Sequence, residues 1–253
     1  MQPNLIGVII PCHNHKKYID KSLGSVLSQD YDNKVIVIID DGSTDNVYEY
    51  IENKISDKSK ISGGIIGKIQ KVPIILLRND KPTGPSAARN VGIQTLMQNF
   101  PACVAVCMLD ADDKYLPNKI SRCVQKWMEN PNQIGIVYHD ILINNIKNGT
   151  FLYEYREPYD RQRLEQEDII CNCPLVSIAA LIACGGYDQQ MRTCEDWDLW
   201  LRTTARFIAI HIPEALAVYS VTGQNSSDTV DKSIWQQNWN IIRQRIQAQH
   251  GQR

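Results

Sequence analysis

The 253-residue sequence has no long apolar run. Its longest strictly apolar stretches, such as 103–109, fall far short of the ~18 residues a membrane-spanning helix needs, so no transmembrane segment is expected. Excess charge is also lacking. The 27 Lys and Arg against 28 Asp and Glu leave a net charge of −1. No global basic field exists to hold a nucleic-acid backbone, which excludes nucleic acid as a general partner. Met1-Gln2-Pro3-Asn4 has neither the basic nor the apolar region of a secretory signal, and the expected location is cytoplasmic. The eight cysteines form no compact framework in a chain of this length, so reduced thiols are expected. Cys171-Asn172-Cys173 is the one close pair. It lacks the two-residue gap and second ligand pair of a zinc site, and a structural role is expected for it.

What is present is an ordinary globular mixture, 43% hydrophobic and 22% charged, which argues against a disordered chain. Apolar runs at 5–11, 35–39, 73–77 and 104–109 are bounded by turn residues. Between the first two, Ile19, Leu23, Val26 and Leu27 recur at helical spacing. Short apolar strands alternating with helices predict an α/β fold, a doubly wound, mostly parallel sheet flanked by helices. Ligands in such sheets bind beyond the carboxyl ends of the strands. The Lys-, Ser- and Gly-rich segment 53–71 reads as a solvated surface loop, and the charged 159–168 as a mobile connection. Helices are predicted over 118–129, 195–206 and 233–249. The last carries Trp235, Trp239, Ile242 and Ile246 on one side, a stripe expected to pack on its own domain.

The chemistry gathers where strands end. Asp40-Asp41-Gly42-Ser43 follows the second strand and Asp110-Ala111-Asp112-Asp113 the fourth. Carboxylates there cost desolvation unless they meet donors or a cation. Asp110 and Asp112, two residues apart, suit a hard divalent cation shared with phosphate oxygens. Asp113, Ser43 and Asp45 are expected only to shape turns. In Gly84-Pro85-Ser86-Ala87-Ala88-Arg89-Asn90, Ser86 reads as a helix N-cap. Arg89 then falls on the first turns, placed to hold an anion or the acidic cluster. Glu195-Asp196-Trp197-Asp198 puts acids in a first helical turn, where the helix dipole alone would favour them.

Taken in order, Pro11-Cys12-His13-Asn14, Asp40-Asp41-Gly42-Ser43-Thr44-Asp45, Ala87-Ala88-Arg89-Asn90, Leu109-Asp110-Ala111-Asp112-Asp113, Gly185-Gly186-Tyr187-Asp188 and Glu195-Asp196-Trp197-Asp198 form a series. That series resembles family 2 glycosyltransferases of the GT-A fold over about residues 5–220. The resemblance implies one GT-A domain over 1–253: a nucleotide-sugar half to about 115, an acceptor half over about 116–220, and a helical tail over 221–253. It implies a nucleotide-diphosphate-sugar donor, a UDP-sugar by preference, with Mn²⁺ or Mg²⁺ and an inverting displacement. Pro11, His13 and Asn14 would lie along the nucleotide, Asp41 would meet the base and Asp110 the ribose. Asp112 would bind the metal, and Arg89 would hold the clusters or the donor. Asp196 would be the general base, with Glu195 and Trp197 beside the acceptor.

The acceptor implied is a hydroxyl of a glycan, a lipid-linked sugar or a protein, and a lipid carrier would require peripheral membrane contact. Gln236-Gln237-Asn238-Trp239 lacks the Arg of the processive Gln-x-x-Arg-Trp sequence, so one sugar per encounter is expected. Tyr219-Ser220-Val221-Thr222 stands where many relatives have Tyr-Arg-x-His, which leaves a non-catalytic nucleotide- or glycan-binding homologue as an alternative. A sugar nucleotidyltransferase would carry a Gly-rich phosphate loop after the first strand, and Pro11-Cys12-His13-Asn14 is not one.

Overall fold

The computed structural model describes residues 4–250. The first half runs β1 (Leu5–Cys12), α1 (Ile19–Leu27), β2 (Lys34–Asp41), α2 (Val47–Glu52), β3 (Ser56–Ile61), β4 (Gly64–Ile69), β5 (Val72–Asn79), α3 (Pro85–Asn99), β6 (Cys103–Met108) and β7 (Lys114–Tyr115). The second half adds α4 (Lys119–Trp127), β8 (Ile134–Asn145), β9 (Thr150–Glu154), α5 (Arg161–Leu164), β10 (Leu175–Ser177), α6 (Ile178–Cys184), α7 (Glu195–Thr204), β11 (Ile208–Val221), α8 (Ser226–Thr229) and α9 (Lys232–His250).

All eleven strands join one mixed α/β sheet in the order β3-β4-β5-β2-β1-β6-β10-β8-β11-β7, with β9 on β8. The β5-β2-β1-β6 centre is parallel, as continuous apolar runs require. Every residue of β2 is buried, and Val35 through Ile39 are 0% exposed. Full burial of such side chains stabilises by about 1.5–3 kcal/mol each. Helix α3 lies on this centre through Ala88, Gly92 and Leu96. A Cβ at Gly92 would sit 2.6 Å from Ile39 Cδ1, so the absent side chain sets how closely helix and sheet approach.

Antiparallel pairing enters at both flanks. The 53–71 segment is not a loop, because β3 and β4 form a hairpin whose inner strand pairs with β5. Ile65 and Ile69 are buried at that edge, and local Lys and Ser content hid their alternation. Nor is 159–168 a free connection. Leu164 is fully buried, and Arg161 donates to the Leu201 carbonyl at 2.8 Å. Ser86 is not the N-cap of α3 either. Gly84 takes that place with Pro85 following, and buried Ser86 donates to the Met191 carbonyl at 3.1 Å. Among the described residues no helix is long and apolar enough to cross a membrane.

Candidate active site

The carboxyl ends of β1, β2 and β6 open into a cleft of about 1000 Å³, walled opposite by the first turn of α7 and by α9. Pro11, near the end of β1, and His13, just after it, line the cleft. The His13 ring is held at both nitrogens. Its Nδ1 lies 2.7 Å from the Asp41 carbonyl, to which only an N–H can donate, and Asn14 Nδ2 donates to Nε2 at 3.0 Å. Asn14 itself lies outside the cleft lining. It sits at φ +56°, its amide oxygen accepts from Thr44 N at 2.8 Å, and its own N–H donates to Ser43 Oγ. It therefore ties the loop after β1 to the loop after β2.

Asp41, 4% exposed, also lines the cleft, and its carboxylate is saturated. Oδ1 accepts from Asn79 Nδ2 at 2.8 Å and Thr83 Oγ1 at 2.7 Å, while Oδ2 accepts from Gly84 N at 2.8 Å. Thr83 N contacts both oxygens. These donors order the loop that enters α3. Nothing in the local sequence signals Thr83 or Asn79, because they meet Asp41 only after β2 and β5 pair.

Arg89 joins the two remaining carboxylate groups. It is 3% exposed, donates from Nη2 to Asp110 Oδ1 and from Nη1 to Glu195 Oε1, each at 2.8 Å, and lies 3.8 Å from Asp196 Oδ1. Its single positive charge faces three carboxylates, and its Nε has no hydrogen-bond partner among the described residues. Seven carboxylates line the cleft against two arginines, Arg89 and Arg192. Asp196 Oδ1 is buried without a hydrogen-bond partner among the described residues. Burial holds the Asp196 carboxyl well above the usual range, with Arg89 opposing and Glu195 and Asp110 reinforcing. Burial, then Asp110, pushes Asp112 up to about 6. The donor set at Asp110 and Asp112 thus fits a hard divalent cation, which would relieve this crowding of like charge.

The neighbouring acids are structural by contrast. Asp113, 2% exposed, accepts from Ser220 N at 2.8 Å and Asn172 Nδ2 at 3.0 Å. Asp198, also 2% exposed, pairs with Arg202 and Arg245.

Trp197 is buried and donates from Nε1 to the Leu164 carbonyl at 2.6 Å, so it forms wall more than contact surface. Its ring centroid lies 5.5 Å from that of Trp239. Trp239 and Trp235 both line the cleft and are only partly buried. The expected packing of α9 on its own domain holds, through buried Ile242 and through Asn238 donating to Thr193 at 2.9 Å. The same helix nevertheless brings two indoles to the site, which a core-stripe reading of the sequence misses. Tyr219 and Asn225 line the same end, and Asn225 Nδ2 lies 3.4 Å from Asp112 Oδ2.

Among solved structures, the Staphylococcus aureus TarS 1–349 complex with UDP-GlcNAc matches with a TM-score of 0.68 at 16% identity, over 90% of this chain and 61% of that one. A Pyrobaculum calidifontis mannosyltransferase, in complex with GDP-Man and Mn²⁺, matches with a TM-score of 0.61 at 16% identity, over 89% of this chain and 59% of that one. These likenesses show a GT-A-like fold. In sequence, an uncharacterized glycosyltransferase of Haemophilus influenzae is 24% identical over 95% of this chain and 76% of its own length. Another, from Rickettsia bellii, is 26% identical over 88% of this chain, which spans 29% of that relative. The model of glycosyl transferase family 2 matches residues 7–179, more than half of the sequence, and the chain belongs to that family of glycosyltransferases.

Proposed function

We propose that this chain transfers one sugar from a UDP-sugar to a hydroxyl of a glycan, lipid-linked or protein acceptor, with inversion and with divalent-metal dependence. One observation carries the proposal. A buried carboxylate oxygen of Asp196, without a hydrogen-bond partner among the described residues, shares a cleft with the Asp110–Asp112 pair, and Arg89 links the two groups. A base that is poorly solvated and short of donors is a strong proton acceptor once ionised. The UDP and UDP-GlcNAc complexes of TarS support a uridine donor, and the Mn²⁺ complex of the mannosyltransferase supports a metal.

Pro11 and His13 border the nucleobase end. Asp41 can accept a ring N–H only by exchanging one of the donors from Asn79 or the Thr83–Gly84 segment, so donor entry and that loop are coupled. Asp110 is assigned the ribose and Asp112 the metal. Mn²⁺ or Mg²⁺ held there would neutralise the charge that collects on the departing diphosphate. The cleft's excess of carboxylates would otherwise repel that diphosphate. Asp196 takes the proton of the acceptor hydroxyl as its oxygen bonds to the anomeric carbon. The carbon–oxygen bond to the diphosphate breaks on the opposite face. Glu195 keeps Arg89 beside this base, and Trp235 and Trp239 offer flat apolar faces to a sugar ring.

Calorimetric titration with UDP and with GDP, each with Mn²⁺ and with EDTA, tests the donor assignment. UDP binding that needs Mn²⁺ is expected. Preferential GDP binding would overturn the uridine assignment, and no binding by either would overturn the donor site.

A further inference from the structure

Outside the cleft, the sheet brings three ligand-type side chains together in the core. His139 lies on β8, and Cys171 and Cys173 precede β10. The antiparallel register Val176↔Ile136, Leu175↔Val137, continued by two residues, sets Cys173 opposite His139. One ligand atom from each of the three lies within 4.8 Å of the others, and Cys173 Sγ is 3.9 Å from His139 Nε2. All three side chains are closed to solvent, at 0%, 0% and 2% exposure for His139, Cys171 and Cys173. The tautomer is set as well. His139 Nδ1 lies 2.7 Å from the Asp140 carbonyl, so Nδ1 carries the proton and the Nε2 lone pair faces the thiols. Metal-binding histidines use this same backbone support.

A second observation concerns charge. Lys119 is fully buried, its ammonium has no hydrogen-bond partner among the described residues, it stands 4.3 Å over the Tyr115 ring, and Cys107, Cys123 and Cys173 are among the groups that bear on its charge. A buried cation of this kind calls for a nearby anion. Two thiolates and a neutral imidazole around a singly charged ion would be one.

We infer that Cys171 Sγ, Cys173 Sγ and His139 Nε2 form a buried site for a thiophilic d¹⁰ cation, Cu⁺ or Zn²⁺. Sulfur and imidazole ligands select such ions, whereas Mn²⁺ and Mg²⁺ prefer oxygen. Ligand atoms around a bound ion of this class lie roughly 3.5–4 Å apart, so the group contracts by about 1 Å. Binding releases the two thiol protons to solvent and forms two metal–sulfur bonds and one metal–nitrogen bond. Three ligands and the Lys119 charge favour Cu⁺, while Zn²⁺ would need a fourth ligand.

The site has a consequence for the cleft. Asn172, between the two cysteines, donates to Asp110 Oδ2 at 3.3 Å and to Asp113 Oδ2 at 3.0 Å. A cation on both flanking thiolates staples the residue that positions the aspartates.

The test uses the tag-free full chain, reduced, stripped with a chelator and reloaded separately with Cu⁺ and Zn²⁺ under argon. One equivalent of one ion is expected to survive desalting. X-ray absorption at the metal edge should show two sulfurs and an imidazole nitrogen, and hydrogen exchange over 168–177 should slow. Cys173→Ser and Cys171→Ser should lower the stoichiometry at least tenfold, and Cys184→Ser, at a partly exposed thiol, should leave it unchanged. Retention of Cu⁺ against excess Zn²⁺ would identify the singly charged occupant, and the reverse would identify zinc. No retained ion, or a shell of oxygen and nitrogen alone, would overturn the site. The absorption spectrum of the wild type decides even if the serine variants fail to fold.

Discussion

Two acidic clusters stand at strand ends and meet opposite fates. After β2, Asp41 receives donors on both carboxylate oxygens from Asn79, Thr83 and Gly84. After β6 and at the start of α7, Asp110, Glu195 and Asp196 share Arg89, and Asp196 Oδ1 has no hydrogen-bond partner among the described residues. A satisfied carboxylate holds a loop in place. An under-satisfied one keeps its capacity for a proton, a cation or a substrate hydroxyl. The same residue type thus divides into scaffold and chemistry by the number of donors the tertiary structure supplies.

The contrast breaks most sharply at Asp196. Asp196→Asn should cut transfer by about 10³-fold, the scale of general-base loss, while UDP affinity measured by calorimetry stays within twofold. A variant retaining full rate would remove Asp196 from the base role. Arg89 comes next. Arg89→Gln leaves three partly buried carboxylates without their cation, and chemical denaturation should show a loss of about 3 kcal/mol at pH 7. Because protonation relieves that repulsion, the loss should shrink toward pH 5.

On the satisfied side, Asp41→Ala strands the donors of Thr83, Gly84 and Asn79, and should cost about 2 kcal/mol with faster hydrogen exchange over 79–84. If Asp41→Ala were neutral for stability but abolished UDP binding, the scaffold assignment would fail.

The smallest effect sharpens the comparison through pH. Asp168 lines the cleft, its carboxylate accepts from Ile170 N at 3.1 Å, and burial pushes it from the usual 3.8 up to about 7. The unfolded chain releases this proton near 3.8, but the folded chain keeps it to about 7. Fewer protons on the unfolded state mean that stability falls as pH rises between those values and levels off above them. Asp168→Asn should flatten this segment of the curve and stabilise at pH 8 by on the order of 1–2 kcal/mol, checked by urea denaturation across pH.

Much of this was legible in the chain. The parallel centre follows from apolar runs and turn residues, and the clusters at Asp40–Asp41 and Asp110–Asp113 fall where those runs stop. The β3–β4 hairpin was hidden because Lys and Ser fill its exposed face, leaving only Ile65 and Ile69 to mark the buried one. Ser86 resembled a cap in isolation, yet the helix starts at Pro85, two residues earlier than that cap implies, and Ser86 becomes a buried tie to Met191. The Trp235 and Trp239 stripe was correctly apolar, but one helix face can pack on a core and edge a cleft together.

Local periodicity and side-chain chemistry by themselves determined the α/β centre, the place of the cleft beyond its strands and the carboxylate types within it. Only the tertiary structure decided which carboxylates are satisfied, that Arg89 meets Glu195 from 106 residues away while also holding Asp110, and that His139 meets Cys171 and Cys173. Strand and helix patterns come from neighbours along the chain and leave a local trace. Donor counts and ligand clusters come from segments that meet only when distant strands pair, and no short-range pattern records them.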